Sequence, residues 1–196
     1  MSDRPIYGLL LAGGKSSRMG RDKALLERAG QSQLAYLAGL LEDKVERMFV
    51  STRAEQKDEA ERGRYAQIID RYDDMGPLAG ILSAMEEYPD TDWLVIACDL
   101  PNISGETIAH LLENRTGEHP FTAYLSSHDG LPEPLCAIYS SSSVDLIRQF
   151  AEEGICCPRK ILIRSDTRLL EQTDPSSLDN INTPDDLADS ILRAAS

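Results

Sequence analysis

The sequence predicts an α/β sandwich with a mostly parallel sheet, and three observations carry that expectation. Short apolar runs alternate with helix-length segments through the first hundred residues. The run WLVIA at 93–97 is apolar without interruption, as a parallel strand covered on both faces requires. Gly13 and Gly14 end the first apolar run, and GPLAG at 76–80 makes a turn-rich opening to a helix.

Taken in order, the first strand is Ile6 to Leu11. Leu34, Leu37, Ala38, Leu41 and Val45 then recur at i, i+3, i+4, i+7 and i+11, the apolar stripe of a helix. RMFVS (47–51) reads as a second strand, 54–62 as a polar helix and AQIID (66–70) as a third strand. GPLAG leads into a helix with Ile81, Leu82 and Met85 on one face. Beyond WLVIA the pattern is less regular: a helix near 104–114, a strand at 121–125, a turn through SSHDGLPEP, a strand at 135–139 and a helix near 143–153. A last helix starts at Thr183 as N-cap, with Pro184 at its first position and Asp185 and Asp186 in its first turn.

A chain of 196 residues is long enough for one well-packed core, and neither a linker nor a repeat divides it. Its 41% hydrophobic and 27% charged residues are ordinary globular proportions. No apolar run approaches the roughly 18–20 residues of a membrane span, and MSDRPIYGLL lacks the pattern of a secretory leader. The expectation is a soluble cytoplasmic protein with no membrane partner. Cys98, Cys136, Cys156 and Cys157 have neither disulfide-framework nor zinc spacing. A net charge of −13 also argues against a nucleic-acid partner, since a phosphate backbone would be repelled.

Against that acidity, the stretch LLLAGGKSSRMGRDKALL (9–26) stands out. Residues 15–23 carry Lys15, Arg18, Arg21 and Lys23 against Asp22 alone, a local charge of +3. Three familiar glycine-rich signatures fail on spacing. The dinucleotide fingerprint lacks its second and third glycines, the P-loop would need glycine where Leu9 stands, and a GxSxG elbow meets Arg18. What remains is a loop whose glycines admit a ligand to the backbone and whose cations can surround a polyphosphate. It lies at the carboxyl end of the first strand, the edge where open α/β sheets bind ligands. A solvated connection with ordinary surface lysines and arginines is the bland alternative. Asp70 ends the strand at 66–70 and Asp99 lies just beyond the strand at 93–97, so parallel strands bring both carboxylates to the same edge. An acid beside bound polyphosphate needs a cation between them, and Mg²⁺ is the usual one.

LAGGKSSRMGRDK, GPLAG, CDLP, PLCAIY and NINTPDD, in that order across residues 8–187, resemble the molybdenum cofactor guanylyltransferases, a MobA-like nucleotidyltransferase family. The resemblance implies a Rossmann-like three-layer α/β/α sandwich and a single nucleotidyltransferase domain over 1–196. Its nucleotide-binding half would be about 1–100 and its acceptor-binding half about 101–196. The implied reaction transfers GMP from GTP to the terminal phosphate of molybdopterin, forming the guanine dinucleotide cofactor and releasing pyrophosphate. By the same resemblance Leu11, Ala12 and Gly13 line the guanine nucleotide, and Lys23 holds the phosphates with Arg18 beside it. Asp70 contacts the nucleotide, and Asp99 is the Mg²⁺ ligand of the CDLP motif. Arg53 stands where members of the family carry asparagine, a departure that leaves its role open. Related cytidylyltransferases tend to read LAAG where this chain has Leu11, Ala12, Gly13 and Gly14, and a glycine lacks the Cβ that would crowd a purine. Asn180 and Asn182 match an asparagine-rich motif that contacts substrate or organises the metal site. Arg159, Lys160 and Arg164 are either contacts for the acceptor phosphate or surface charge. Transient contact with cofactor-biosynthesis or acceptor proteins belongs to the same picture.

The chemistry implied is economical. Mg²⁺ on Asp99 would neutralise the α-phosphoryl oxygens, while Lys23, Arg18 and Lys15 stabilise departing pyrophosphate. A phosphate nucleophile is already ionised near neutral pH, so no general base is required. Ser126, Ser127, His128 and Asp129 are neighbours in sequence and read as a hairpin turn rather than a triad. His110 and His119 read as ordinary helix and loop residues. Alternatives remain: cytidylyl transfer to the same cofactor, nucleotidyl transfer to a sugar or polyol phosphate, or a non-catalytic nucleotide-binding module.

Overall fold

The computed structural model describes residues 4–14, 22–181, 186 and 191–192. Its strands in chain order are β1 (Ile6–Leu11), β2 (Glu27–Arg28), β3 (Gln31–Ser32), β4 (Arg47–Thr52), β5 (Gln67–Ile69), β6 (Asp92–Ala97), β7 (Phe121–Leu125), β8 (Pro132–Tyr139) and β9 (Thr167–Leu170). The helices are α1 (Gln33–Leu41), α2 (Pro77–Glu87), α3 (Gly105–Glu113), α4 (Val144–Glu152) and α5 (Pro158–Ile163). Seven strands form one sheet in the order β5-β4-β1-β6-β8-β7-β9, and β2 and β3 make a small separate hairpin. Within the seven-stranded sheet all pairings are parallel except those of β8, which runs against both β6 and β7.

Period-two alternation divides the strands between two apolar layers. Leu10, Val50, Leu94 and Ile96 pack with α1 and α3 through Leu34, Leu37, Ile108 and Leu111. Leu9, Phe49, Trp93 and Val95 face the other way and pack with α2, α4 and α5 through Ile81, Leu82, Ile147 and Ile161. Helices therefore cover both faces, giving the α/β/α sandwich. Ser32 and Ser104 start α1 and α3 by accepting from the N–H groups of Ala35 and Thr107 at 2.9 and 3.2 Å.

The chain leaves β1 for β4 and then β5 on one side, and returns to β6 on the other side of β1. The crevice between the carboxyl ends of β1 and β6 is thus a topological switch point.

Several expectations change. Residues 54–62 do not form a helix. Two short 3₁₀ turns, Ala54–Gln56 and Arg62–Arg64, bracket the segment, and the Glu59 carboxylate takes the N–H groups of Glu61 and Arg62 at 3.0 Å. Such side-chain bonds to the local backbone compete with helix formation where no apolar stripe supports it. Helix α1 stops at Leu41, so Val45 packs on the core from beyond the helix. Strand β8 begins at Pro132, because the prolines of its first half require no ladder donor. Helix α5 and edge strand β9 were not anticipated. The expected N-cap at Thr183, with Pro184 and Asp185, lies outside the described residues.

Candidate active site

The strand ends deliver their residues to one edge, as parallel strands must. Leu11 at the end of β1, Ala12, Gly13 and Gly14 after it, Lys23, Arg53 after β4, Asp70 after β5 and Asp99 after β6 all line one cleft of about 820 Å³. The space is of the size that holds a small-molecule substrate. Lys15, Arg18 and Asn182 lie outside the described residues. Asn180 lines a neighbouring cavity of about 480 Å³ instead. The two cavities share Asp74, Gly76, Pro77 and Leu135, so they adjoin.

Lys23 and Asp99 meet at the switch point, with Nζ 3.4 Å from Oδ2. Lys23 is placed there by a short 3₁₀ turn, Lys23–Leu25, which Asp22 caps by accepting from the N–H of Ala24 at 3.1 Å. Burial pushes the Asp99 carboxyl above the ordinary carboxylate range, and the neighbouring ammonium opposes the shift. Its Oδ1 is buried and accepts no hydrogen bond among the described residues. A buried carboxylate oxygen without a partner is costly, and a cation at that oxygen would relieve the cost. Asp22, Glu55, Asp70, Asp73, Asp74 and Asp99 line the cleft against Lys23 and Arg53 among the described residues, so the cavity itself is rich in negative charge. No cluster of three or more metal-ligating side chains occurs among the described residues. The donor set therefore fits a hard divalent ion held by one carboxylate and completed by ligand phosphate oxygens and water, as Mg²⁺ commonly is.

The asparagine-rich segment reaches the same place through the backbone. The N–H of Ile181 donates to the carbonyl of Asp99 at 3.0 Å, which puts Asn180 next to the carboxylate's own peptide.

Gly76 caps α2 with φ +57°, a conformation glycine adopts without strain, and Pro77 starts the helix. Gly76, Pro77, Ala79 and Gly80 all face the cleft, so the positive end of an eleven-residue helix borders it. A Cβ at Gly80 would stand 2.1 Å from Ser51 Oγ and 3.1 Å from Asp70 Oδ1, so only glycine permits this approach. Ser51 Oγ donates to Asp70 Oδ1 at 2.7 Å. Burial raises the Asp70 carboxyl, while the serine bond and the charge of Arg53 oppose that shift.

Sequence reasoning missed Arg62. This arginine is 1% exposed and donates through Nη2 to the Ala12 carbonyl and to Asp22 Oδ2, both at 2.6 Å. Its Nη1 donates to Glu59 at 3.1 Å. One guanidinium thus joins the two ends of the basic loop. Elsewhere the histidines are accounted for: His110 hydrogen-bonds Tyr124, His119 faces Asp166 and His128 faces Asp179. Ser126 to Asp129 connect β7 to β8 as a hairpin.

A doubly wound α/β sheet with a lysine–carboxylate pair at its switch point defines the class, a nucleotide-binding α/β domain of the nucleotidyltransferase type. Residues 8–169 match the model of the MobA-like NTP transferase domain, and the chain belongs to that family. It is 37% identical over 186 residues to a molybdenum cofactor biosynthesis bifunctional protein of Synechocystis sp., covering 95% of this chain and 54% of that protein. The chain thus spans about half the length of that relative. It is also 35% identical over 150 residues to a protein of Bacillus mycoides named probable molybdenum cofactor guanylyltransferase, covering 74% of each chain. Among solved structures, molybdopterin-guanine dinucleotide biosynthesis protein A of Archaeoglobus fulgidus superposes with a TM-score of 0.77 at 26% identity, over 93% of this chain and 95% of that one. A nucleotidyl transferase of Methanothermobacter thermautotrophicus shares the fold, with a TM-score of 0.75 at 19% identity over 94% and 95% of the two chains. No helix among the described residues is long and apolar enough to cross a membrane.

Proposed function

We propose that this chain transfers GMP from GTP to the terminal phosphate of molybdopterin, with Mg²⁺ as the metal. The observation that carries the reading is the Lys23–Asp99 pair at the switch point, with a buried Asp99 oxygen left for a cation. The relatives named for molybdenum cofactor guanylyl transfer support the choice of substrates. A terminal phosphate oxygen of the acceptor attacks the α-phosphorus of GTP. The bond from that phosphorus to the bridging oxygen breaks, and pyrophosphate leaves with the electron pair. Lys23 supplies positive charge where the phosphates gather, with Arg18 and Lys15 of the basic loop assigned to the same task. When bound, Mg²⁺ on Asp99 supplies charge neutralisation at the α-phosphoryl oxygens. No residue needs to remove a proton, because the acceptor phosphate is ionised at neutral pH.

The acceptor takes the adjoining cavity, whose wall includes Pro134, Leu135, Leu178 and Arg159. An apolar wall with a guanidinium suits a flat ring that carries a phosphate. Arg159 is paired there with Asp129 at 3.2 Å and Glu133 at 2.8 Å, and the acceptor phosphate would compete with those carboxylates. Asn180 lines the same cavity.

The test is a turnover assay with purified chain, GTP, molybdopterin and Mg²⁺, read as pyrophosphate release and dinucleotide formation. The expected result is turnover in the native chain and none in Asp99→Ala, with the variant still folded. Normal turnover by that variant overturns the metal assignment.

A further inference from the structure

We propose that Glu133 is a second carboxylate for the metal at Asp99, held away by Arg159 until the acceptor's phosphate takes that guanidinium; this rests on the metal and acceptor assignments above.

The strand register brings the two carboxylates together. Strand β8 runs against β6 with Tyr139 opposite Trp93 and Cys136 opposite Ile96. Continued past that last pair, the same register sets Leu135 across from Ala97 and Glu133 across from Asp99. Ala97, Leu135 and Asp99 all line the nucleotide cleft, so the continuation faces the site. Residues opposite one another on antiparallel strands point to the same face, with Cβ atoms about 5 Å apart. Two carboxylates so placed can serve one hard cation. Burial raises the Asp99 carboxyl, and the charge of Glu133 adds to that rise.

A bulge fixes where Glu133 stands. On the β7 side Ala137 pairs with Ala123 and Glu133 with Tyr124, which leaves Pro134, Leu135 and Cys136 unmatched. The buried hydroxyl of Tyr139 donates to the Pro134 carbonyl at 2.9 Å and pins the bulge from inside. Leu135 then forms part of the wall of both cavities, while Glu133 lines the one assigned to the acceptor.

Arg159 holds Glu133 on that side. Glu133 accepts from Nη2 at 2.8 Å, and Asp129 accepts from Nη1 at 3.2 Å. The pair is largely out of water, with Glu133 at 15% and Arg159 at 34% exposure. A phosphate monoester carries about −1.5 to −2 charges near neutral pH, and its oxygens match the fork of a guanidinium. Once a phosphate occupies Arg159, Glu133 is a largely buried carboxylate without its counter-ion, which is costly. A cation at Asp99 removes that cost. Acceptor and metal therefore favour each other's binding, and the linkage is reciprocal. The consequence is that the cation is held most firmly when the attacking phosphate is in place.

The experiment measures binding of Mn²⁺, a paramagnetic stand-in for Mg²⁺, to the full chain without nucleotide, by loss of the free-ion EPR signal. The native chain, Arg159→Met and the double variant Arg159→Met with Glu133→Asp are compared, with thermal unfolding as the check on folding and phenyl phosphate as the acceptor probe. Arg159→Met is expected to bind Mn²⁺ about tenfold tighter than the native chain, because Glu133 is released. Glu133→Asp keeps the charge but withdraws it by one methylene, so the double variant is expected to return to the native affinity. Phenyl phosphate is expected to tighten Mn²⁺ binding in the native chain and to add nothing in Arg159→Met. Unchanged affinity in Arg159→Met overturns the proposal, and so does a gain that survives Glu133→Asp, which is the mark of a bulk charge effect. A native chain indifferent to phenyl phosphate overturns the gate. A native chain that binds no Mn²⁺ overturns the metal assignment itself, a distinct outcome.

Discussion

Replacing Arg62 with methionine removes a buried group that ties Ala12 to Asp22, and the structure sets the size of the effect. The guanidinium is 1% exposed, while its carboxylate partners Asp22 and Glu59 retain 28% and 31% exposure. A charged donor on the buried Ala12 carbonyl contributes about 1.5–3 kcal/mol. The two carboxylates rehydrate in the variant, so each ion pair is discounted to about 0.5–1 kcal/mol. Methionine refills part of the volume and limits the cavity term. The expected loss is about 3 kcal/mol, which for a chain of this length lowers Tm by roughly 6–12 °C. Function should suffer beyond stability, because Asp22 caps the turn that carries Lys23. Urea unfolding and GTP-induced thermal shifts of the native chain and Arg62→Met provide the assay. A variant within about 1 kcal/mol of the native chain, with an undiminished GTP shift, would refute the reasoning, since most surface-type substitutions fall in that range. Glu59→Gln, which leaves the Ala12 and Asp22 bonds in place, serves as the control and should cost under about 1 kcal/mol.

Gly80→Ala drives a methyl group into Ser51 and should cost about 1–3 kcal/mol, with weakened nucleotide binding because Asp70 loses its serine; equal urea midpoints would contradict the close approach. Asp70 and Asp99 are both raised by burial, so the native state retains protons that the unfolded chain has released. Their contribution to the stability of the nucleotide-free chain therefore falls as pH rises from about pH 4 through their raised values. Asp99→Asn should flatten that part of the pH profile and unfold no earlier than the native chain at neutral pH, while losing the Mg²⁺ dependence of nucleotide binding. A steeper profile in the variant would reverse the sign of the argument.

What the sequence reveals and conceals follows from the range of the interactions. Strands β1 and β6 are legible because their apolar runs are local, and the positions of Asp70 and Asp99 follow once the strands are parallel. The reversed direction of β8 is a property of pairing with β6 and β7, which local pattern does not record. Helix α5 has six residues and β9 four, too few for a periodicity to emerge. Arg62 was hidden for a different reason. Its partners Ala12 and Asp22 lie 50 and 40 positions away, and a buried arginine resembles a surface one in sequence. Arg53 shows only as a departure from a family pattern until its bond to Gly13 places it over the cleft. Asn180, read from the sequence as a substrate contact or an organiser of the metal site, lines the adjoining cavity and sits next to Asp99 through the peptide of Ile181.

The most direct test of the central claim is thermal unfolding of the purified chain with GTP, CTP, ATP or no nucleotide, each with and without Mg²⁺. A ligand at about 100 times its dissociation constant adds roughly 2.7 kcal/mol of apparent stability, an upward shift of about 5–10 °C for a chain of this size. The account predicts that shift for GTP in the presence of Mg²⁺, with smaller shifts for CTP and ATP and a reduced one when the metal is withheld. A larger shift with CTP, or none with any nucleotide, would contradict it.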